Sequence, residues 1–367
     1  MQGEKSLSDL VIRPFRKTDN SQLIDLAKSI GVPARVKLGV DRSPVFWAFD
    51  QRLGTKWDIL VAEVDHEIVG FVDMVHTEFL AGDVKKAGTY VVLAGVDLGW
   101  RGSAVFHRLL RASEKTARAR GSEFAIALVN ENNHRLDRML QLVYKDSIRC
   151  EKLRILCILL GPHYRRDSDF SIETATSDVF PEIIQLVNLH YANYQLVPLL
   201  REDYFEMLLK NELNEFLVAR DSRRRIVATL GLWDQSNFRR TIVVDYALPE
   251  LWLRNILNSS RYFTRIKRMP DSGGYFSYLY SIFAASELGC EKALAALIRM
   301  ACKKYANRKY NFLIFSSPES SPFFRCCRGL WRIVNTNIPV VIPLTSGAAN
   351  FLNEINLRNL YLEYALT

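Results

Sequence analysis

The stretch Leu93-Ala94-Gly95-Val96-Asp97-Leu98-Gly99-Trp100-Arg101-Gly102-Ser103-Ala104-Val105-Phe106-His107-Arg108-Leu109-Leu110 decides how the 367-residue chain is read. It predicts a strand ending at Val96, a turn of small residues holding one arginine, and a helix that starts at once with Leu109 and Leu110 on its inner face. A helix N-terminus offers backbone N–H groups without intrahelical partners and the positive end of the peptide dipoles. Together these favour an anion such as a diphosphate. Small side chains at Gly102, Ser103 and Ala104 let phosphate oxygens reach the backbone.

Upstream, Leu10 to Pro14 reads as a strand, Thr18-Asp19-Asn20 as a helix cap, and Leu23, Ile24, Leu26, Ala27 and Ile30 as one apolar helical face. Asp58 to Glu63, the turn Asp65-His66-Glu67 and Ile68 to Asp73 make a hairpin. Downstream of the deciding stretch come a strand from Phe124 to Val129 and a helix from Asn133 to Val143. The same order recurs later in the chain. Phe170 to Glu173 is again a strand, Ser177-Asp178 a cap, Ile183, Ile184, Leu186 and Val187 a helical face. Glu215 to Arg220 with Arg225 to Leu230 repeats the hairpin at an offset of 157 to 158 residues. Tyr275 to Ala285, Glu287 to Tyr305 and Phe312 to Ser316 continue the repeat, and Leu357 to Ala365 reads as a closing strand. The expected fold class is α/β with mixed sheets: two tandem domains, each a central mixed sheet flanked by helices. The first is residues 1–160, the linker 161–169 and the second 170–367.

The deciding stretch resembles the acyl-CoA-binding signature of the GNAT superfamily of N-acyltransferases, Q/R-x-x-G-x-G/A. Arg101 matches its first position, Ala104 replaces the first glycine, and Phe106 stands where a small residue is usual. Asn132 and Tyr144 fit the family's N-x-x-A-x-x-L-Y-x-x-x-G-F segment, while Met139 takes the place of the tyrosine that commonly protonates the departing thiolate. The resemblance implies an acyl-CoA co-substrate, acetyl-CoA or longer, held by Leu93, Ala94, Val96, Arg101, Gly102, Ser103, Ala104, Val105, Phe106 and Asn132. It also implies that strand 89–96 splays from its neighbour, with an oxyanion donor near Val96. An amine must lose a proton before attack, and Asp73, His76 and Tyr90 are the candidates to take it. The second copy starts its helix as Glu287-Leu288-Gly289-Cys290-Glu291, with acids where phosphate would sit, and reads as a copy without cofactor that shapes the acceptor or acyl-chain site. There Tyr275-Phe276-Ser277-Tyr278-Leu279-Tyr280 offers rings to both faces of a strand, one of them suited to a long apolar groove.

Composition bounds the rest. With 49% apolar and 24% charged residues the chain is ordinary globular material, and its longest apolar runs, Leu153 to Leu160 and Ile338 to Leu344, fall far short of a membrane span. Nothing in Met1 to Leu10 resembles an export signal, so a cytoplasmic location is expected. Six cysteines without a C-x-x-C pair and six histidines without metal spacing lead us to expect no metal. A net charge of +9 favours anionic partners. The expected acceptor is a primary amine on a small molecule or peptide, an acidic one included. No nucleic-acid module is recognisable. The competing reading is a non-catalytic acyl-CoA sensor or interaction protein, which the departures at Ala104, Phe106 and Met139 favour.

Overall fold

The computed structural model describes residues 9–31, 36–53, 56–82, 84–161, 169–192, 194–198, 207–208, 215–306, 309–355, 357 and 360–366. Most of the linker 161–169 lies outside the described residues.

The first half runs β1 (Val11–Pro14), α1 (Asn20–Ser29), β2 (Val36–Asp41), α2 (Asp50–Leu53), β3 (Lys56–Val64), β4 (Glu67–Ala81), β5 (Val84–Val96), α3 (Val105–Ala119), β6 (Phe124–Asn130), α4 (His134–Val143), β7 (Ile148–Arg149) and β8 (Leu153–Leu159). Asp65 and His66 both take positive φ, 50° and 68°, which lets a two-residue turn join β3 to β4 without splaying them. In α3 the residues Val105, Leu109, Leu110, Ser113 and Ala117 are buried on one stripe. Part of that stripe packs on Val72, Met74 and Val96 of the sheet. On the other sheet face, Leu23, Ile24, Leu26 and Ala27 of α1 meet Ile59, Val61 and Phe71.

The second half runs β9 (Ser171–Thr174), α5 (Phe180–Tyr191), β10 (Gln195–Pro198), β11 (Glu215–Arg220), β12 (Ile226–Trp233), β13 (Arg240–Tyr246), α6 (Leu248–Thr264), β14 (Tyr275–Phe276), β15 (Tyr278–Ser286), α7 (Glu291–Lys304), β16 (Phe312–Pro318), α8 (Phe323–Cys326), β17 (Arg332–Pro343) and α9 (Ser346–Glu354). Here α5 covers one face of the sheet through Ile183, Leu186 and Val187. Across the sheet, α7 covers the other through Leu294, Leu297 and Ile298.

One mixed sheet joins the two halves in the order β1-β3-β4-β5-β6-β17-β8-β16-β15-β12-β11-β9. The order is symmetric about its centre: β5 pairs parallel with β6, and β15 pairs parallel with β16. At the centre the halves exchange strands. From the second half, β17 lies antiparallel beside β6, and from the first, β8 lies antiparallel beside β16. A separate ribbon, β14-β13-β2, ties Val36–Asp41 to Arg240–Tyr246.

The expected closing strand at Leu357–Ala365 is a correction. That role belongs to Arg332–Pro343. The tail instead touches β10 through a single bridge, Gln195 to Leu360, and ends in a 3₁₀ turn at Tyr364–Leu366. Its polar groups are taken locally: Tyr361 N donates to Gln195 O at 3.2 Å and Gln235 Nε2 donates to Ala365 O at 2.8 Å.

Candidate active site

Two neighbouring strands diverge in the first half. The parallel pairing of β5 with β6 ends at Val91 opposite Ala127, although β5 continues to Val96 and β6 to Asn130. At the same level β5 bulges: Asp73 of β4 faces Leu93 and Met74 faces Val91, so Val92 is the extra residue. Beyond it, among the described residues, the edge of Val92–Val96 that turns toward β6 has no ladder partner; Arg101 Nε donates to Val96 O there at 3.4 Å, and the other N–H and C=O groups of the edge face away from β4.

The open edge leads straight into the turn. Asp97 accepts Gly99 N at 2.8 Å, and Gly102 adopts φ +97°, a conformation that only glycine takes without strain. Ser103 Oγ donates to Trp100 O at 2.7 Å and accepts Val105 N at 3.3 Å. Then α3 begins, with Gly102 and Ala104 exposed and Val105 buried. Among the described residues, Arg101, Arg108 and Arg135 make no ion pair, and a Cβ placed on Gly102 would lie 2.7 Å from Arg135 Nη2. Arginines without carboxylate partners among the described residues, beside the positive end of a 15-residue helix, are the groups here that could hold an anion. Arg135 is a residue that the sequence reading passed over, although it sits in the Asn-led helix that it singled out. Asn132 is exposed in the turn before α4, and its N–H donates to Asn130 Oδ1 at 3.0 Å.

No protein-family model matches the chain, and no curated protein sequence does. Solved structures do. Saccharomyces cerevisiae N-myristoyltransferase with bound myristoyl-CoA and inhibitors superposes with a TM-score of 0.64 at 9% identity, over 98% of this chain and 87% of that one. A GCN5-related N-acetyltransferase from Sphaerobacter thermophilus gives a TM-score of 0.60 at 10% identity, over 92% of this chain and 96% of that one. The chain shares the fold of these solved structures. In that frame the diverging strands and the Arg101–Ala104 turn occupy the first half.

The candidate proton acceptors are divided by the sheet. On β4, Asp73 and His76 lie three residues apart and so project to opposite faces. Asp73 is fully buried and takes Arg42 Nη1 at 2.6 Å, while the same nitrogen reaches both oxygens of buried Asp50 at 3.1 Å. Burial, and then the charge of Asp50, raises the Asp73 carboxyl well above its ordinary range. Among the described residues its Oδ1 has no hydrogen-bond partner within bonding geometry. His76, on the α3 face, has both ring nitrogens engaged: Nδ1 with Thr89 Oγ1 at 2.8 Å and Nε2 with Asp58 Oδ2 at 3.1 Å. Arg120, at the C-terminal end of α3, holds the same Asp58 through two bonds of 2.7 and 2.8 Å. Desolvation lowers the His76 pKa, so the ring favours its neutral form. Tyr90 shares the Asp73 face, packs edge-on against Phe79 at 5.0 Å, and has its pKa raised by burial and by the Glu363 carboxylate.

The motif's apolar departures face the interior. Phe106 packs between the α3 core and the α4 core, and Met139 packs in the latter beside Leu110 and Tyr144. Tyr144 reaches Leu110 O through its hydroxyl at 3.2 Å. Val96 is buried on the α3 face with Ala94 partly buried beside it, whereas Leu93 packs on the α1 side.

The second half keeps the divergence and fills it. Pairing of β15 with β16 ends at Tyr280 opposite Ile314, and β15 bulges between Ile282, opposite Gly231, and Ala285, opposite Thr229, with Phe283 at φ 52°. Glu363 of the tail accepts Phe283 N at 3.0 Å, Tyr361 Oη at 2.6 Å and Tyr191 Oη at 3.2 Å. At the head of α7 the amide of Gly289 donates to Glu291 Oε1 at 3.2 Å. The backbone donors that face outward in the first half are therefore met internally in the second. Phe276, Tyr278 and Tyr280 line a small depression together with Arg239 and Arg240, which makes that surface basic as well as aromatic.

Proposed function

We propose that the chain is an acyl-CoA N-acyltransferase whose co-substrate binds the first half, and that residues 170–367 supply the acceptor side without a second cofactor. The observation that carries this reading is the continuity of the open Val92–Val96 edge with the Gly102 turn and the unpaired arginines at the head of α3. Diphosphate at the α3 N-terminus would place the pantetheine arm along the edge and the thioester near the Val92 bulge. The edge amides then stabilise the oxyanion as an amine nitrogen attacks the carbonyl carbon. The C–N bond forms, the C–S bond breaks, and the sulfur leaves as thiolate, tolerable for a thiol of pKa ~8.5 even with Met139 in the acid's place. Of the candidate acceptors for the ammonium proton, Asp73 has an unpartnered oxygen on the strand pair that carries the bulge. One solved structure matched over most of the chain holds myristoyl-CoA and another is an N-acetyltransferase, so the likeness accommodates acetyl and longer acyl groups alike.

One observation favours the second reading, a non-catalytic acyl-CoA sensor. Asp73 is locked to Arg42, and both nitrogens of His76 are spoken for. Thiol release from acyl-CoA, followed across a panel of primary amines and amine-bearing peptides, separates the two. Amine-dependent release at many turnovers supports the enzyme. Tight binding of acyl-CoA with no release for any amine supports the sensor.

A further inference from the structure

The helix Leu248–Thr264 is turned inside out. None of its residues is buried. Leu248, Trp252, Ile256 and Phe263 form one stripe along it, exposed to 74%, 69%, 62% and 89%, with Leu253 and Tyr262 exposed on its flanks. The inward side carries the polar contacts. Arg254 Nη1 donates to Asp271 Oδ1 at 2.6 Å, and Asn258 both accepts Met269 N at 2.7 Å and donates to Met269 O at 3.1 Å. A helix at the surface of a globular protein ordinarily turns its apolar stripe to the core. Here that stripe faces away from it, and a contiguous apolar patch of this kind marks a surface that something covers.

The surrounding charge identifies the cover. Between Leu248 and Asp271 the chain has five basic residues, Arg254, Arg261, Arg265, Lys267 and Arg268, against two acids, Glu250 and Asp271. Arg254 and Arg268 share the carboxylate of Asp271, which leaves a net positive charge there; Arg265 is exposed at the C-terminal end of the helix, and the Arg261 guanidinium lies 5.0 Å from the Tyr262 ring centroid. Tryptophan, tyrosine and phenylalanine beside a cationic collar match the boundary of a bilayer, where rings and aliphatic side chains enter the acyl region and arginines meet anionic headgroups. Among the described residues no helix is long and apolar enough to cross a membrane, so this one would lie in the interface plane. We propose that Leu248–Thr264 seats the protein on anionic lipid. The proposal is independent of the acyltransferase reading.

The test is flotation of the full chain with vesicles of phosphatidylcholine alone and of phosphatidylcholine containing phosphatidylserine, at low and high salt. Wild type should float with the anionic vesicles and lose much of that binding at high salt. The Trp252→Glu/Phe263→Glu double variant should lose at least roughly tenfold in partitioning. Its melting temperature should match wild type, because neither side chain is buried. Failure of wild type to float, or equal flotation of the double variant, overturns the proposal. So does a wild-type dimer in solution that the double variant converts to monomer, since a second copy would then be the cover.

Discussion

Arg135 lies over Gly102: a Cβ added to the glycine would come within 2.7 Å of the arginine's Nη2. The pair brings a cation from α4 to the backbone turn that opens α3, and the φ of +97° at Gly102 keeps that turn tight. Gly102→Ala should therefore cost about 1 kcal/mol of stability or more and displace Arg135. Arg135→Ala, which leaves the backbone alone, should weaken CoA binding by roughly tenfold or more through loss of a charge-assisted contact, with little change in melting temperature. Denaturant unfolding of Gly102→Ala checks the first effect and calorimetric titration of CoA into Arg135→Ala the second. Unchanged affinity in Arg135→Ala would remove the arginine from the site.

A second prediction concerns pH. Burial raises the Glu363 carboxyl from 4.5 to about 7. A carboxyl raised on folding contributes stability that is fully present below its unfolded pKa and is lost as pH rises through the folded one. Stability should therefore decline between about pH 4.5 and pH 7 and level off above. Glu363→Gln keeps the shape and removes the titration, so its denaturant midpoint should lose that decline. If the variant reproduces the wild-type profile from pH 4 to 8, another group is responsible.

The elements that frame the candidate site were legible because their signals are local. The periodicity of Val105, Leu109, Leu110 and Ala117, the small residues before it and the apolar run ending at Val96 each lie within one element or turn. What escaped is non-local. Arg42 meets Asp73 across 31 positions of sequence, and nothing about Arg42 or Asp50 in their own segment announces a buried ion pair. The strand exchange of β8 and β17 involves pairings across the whole second half, while Leu357–Ala365 has the apolarity of a strand but brings Tyr361 to Glu363, beside Tyr191 of α5. Within Arg332–Pro343, Pro339 falls between the stretch paired with β8, which ends at Asn337, and the stretch paired with β7, which starts at Val340. There no ladder donor is missed.

The acyl group is open to a third prediction. Phe106 and Met139 are taken up by the α3 and α4 cores, whereas Val92 at the bulge touches the core of the second half, so an acyl chain leaving that point meets apolar surface. Each buried CH₂ contributes about 0.8 kcal/mol. With one accepted amine, kcat/KM should rise from acetyl- through hexanoyl- and decanoyl- to palmitoyl-CoA. A maximum at acetyl-CoA would leave the second half as a structural or acceptor-binding unit only.

The central claim is that acyl-CoA binds the first half, at the head of α3, and nowhere else. The most direct measurement is calorimetric titration of CoA into wild type, Ala104→Asp and Gly289→Asp. Ala104 is exposed at the head of α3, so aspartate there sets a negative charge against the phosphates without disturbing the core. Gly289 sits at φ +84° with open space around it, so aspartate there strains the backbone by about 1 kcal/mol and touches no ligand. One CoA per chain in wild type and in Gly289→Asp, with binding lost in Ala104→Asp, is the predicted result. Equal affinity in Ala104→Asp, or loss in Gly289→Asp instead, would contradict it.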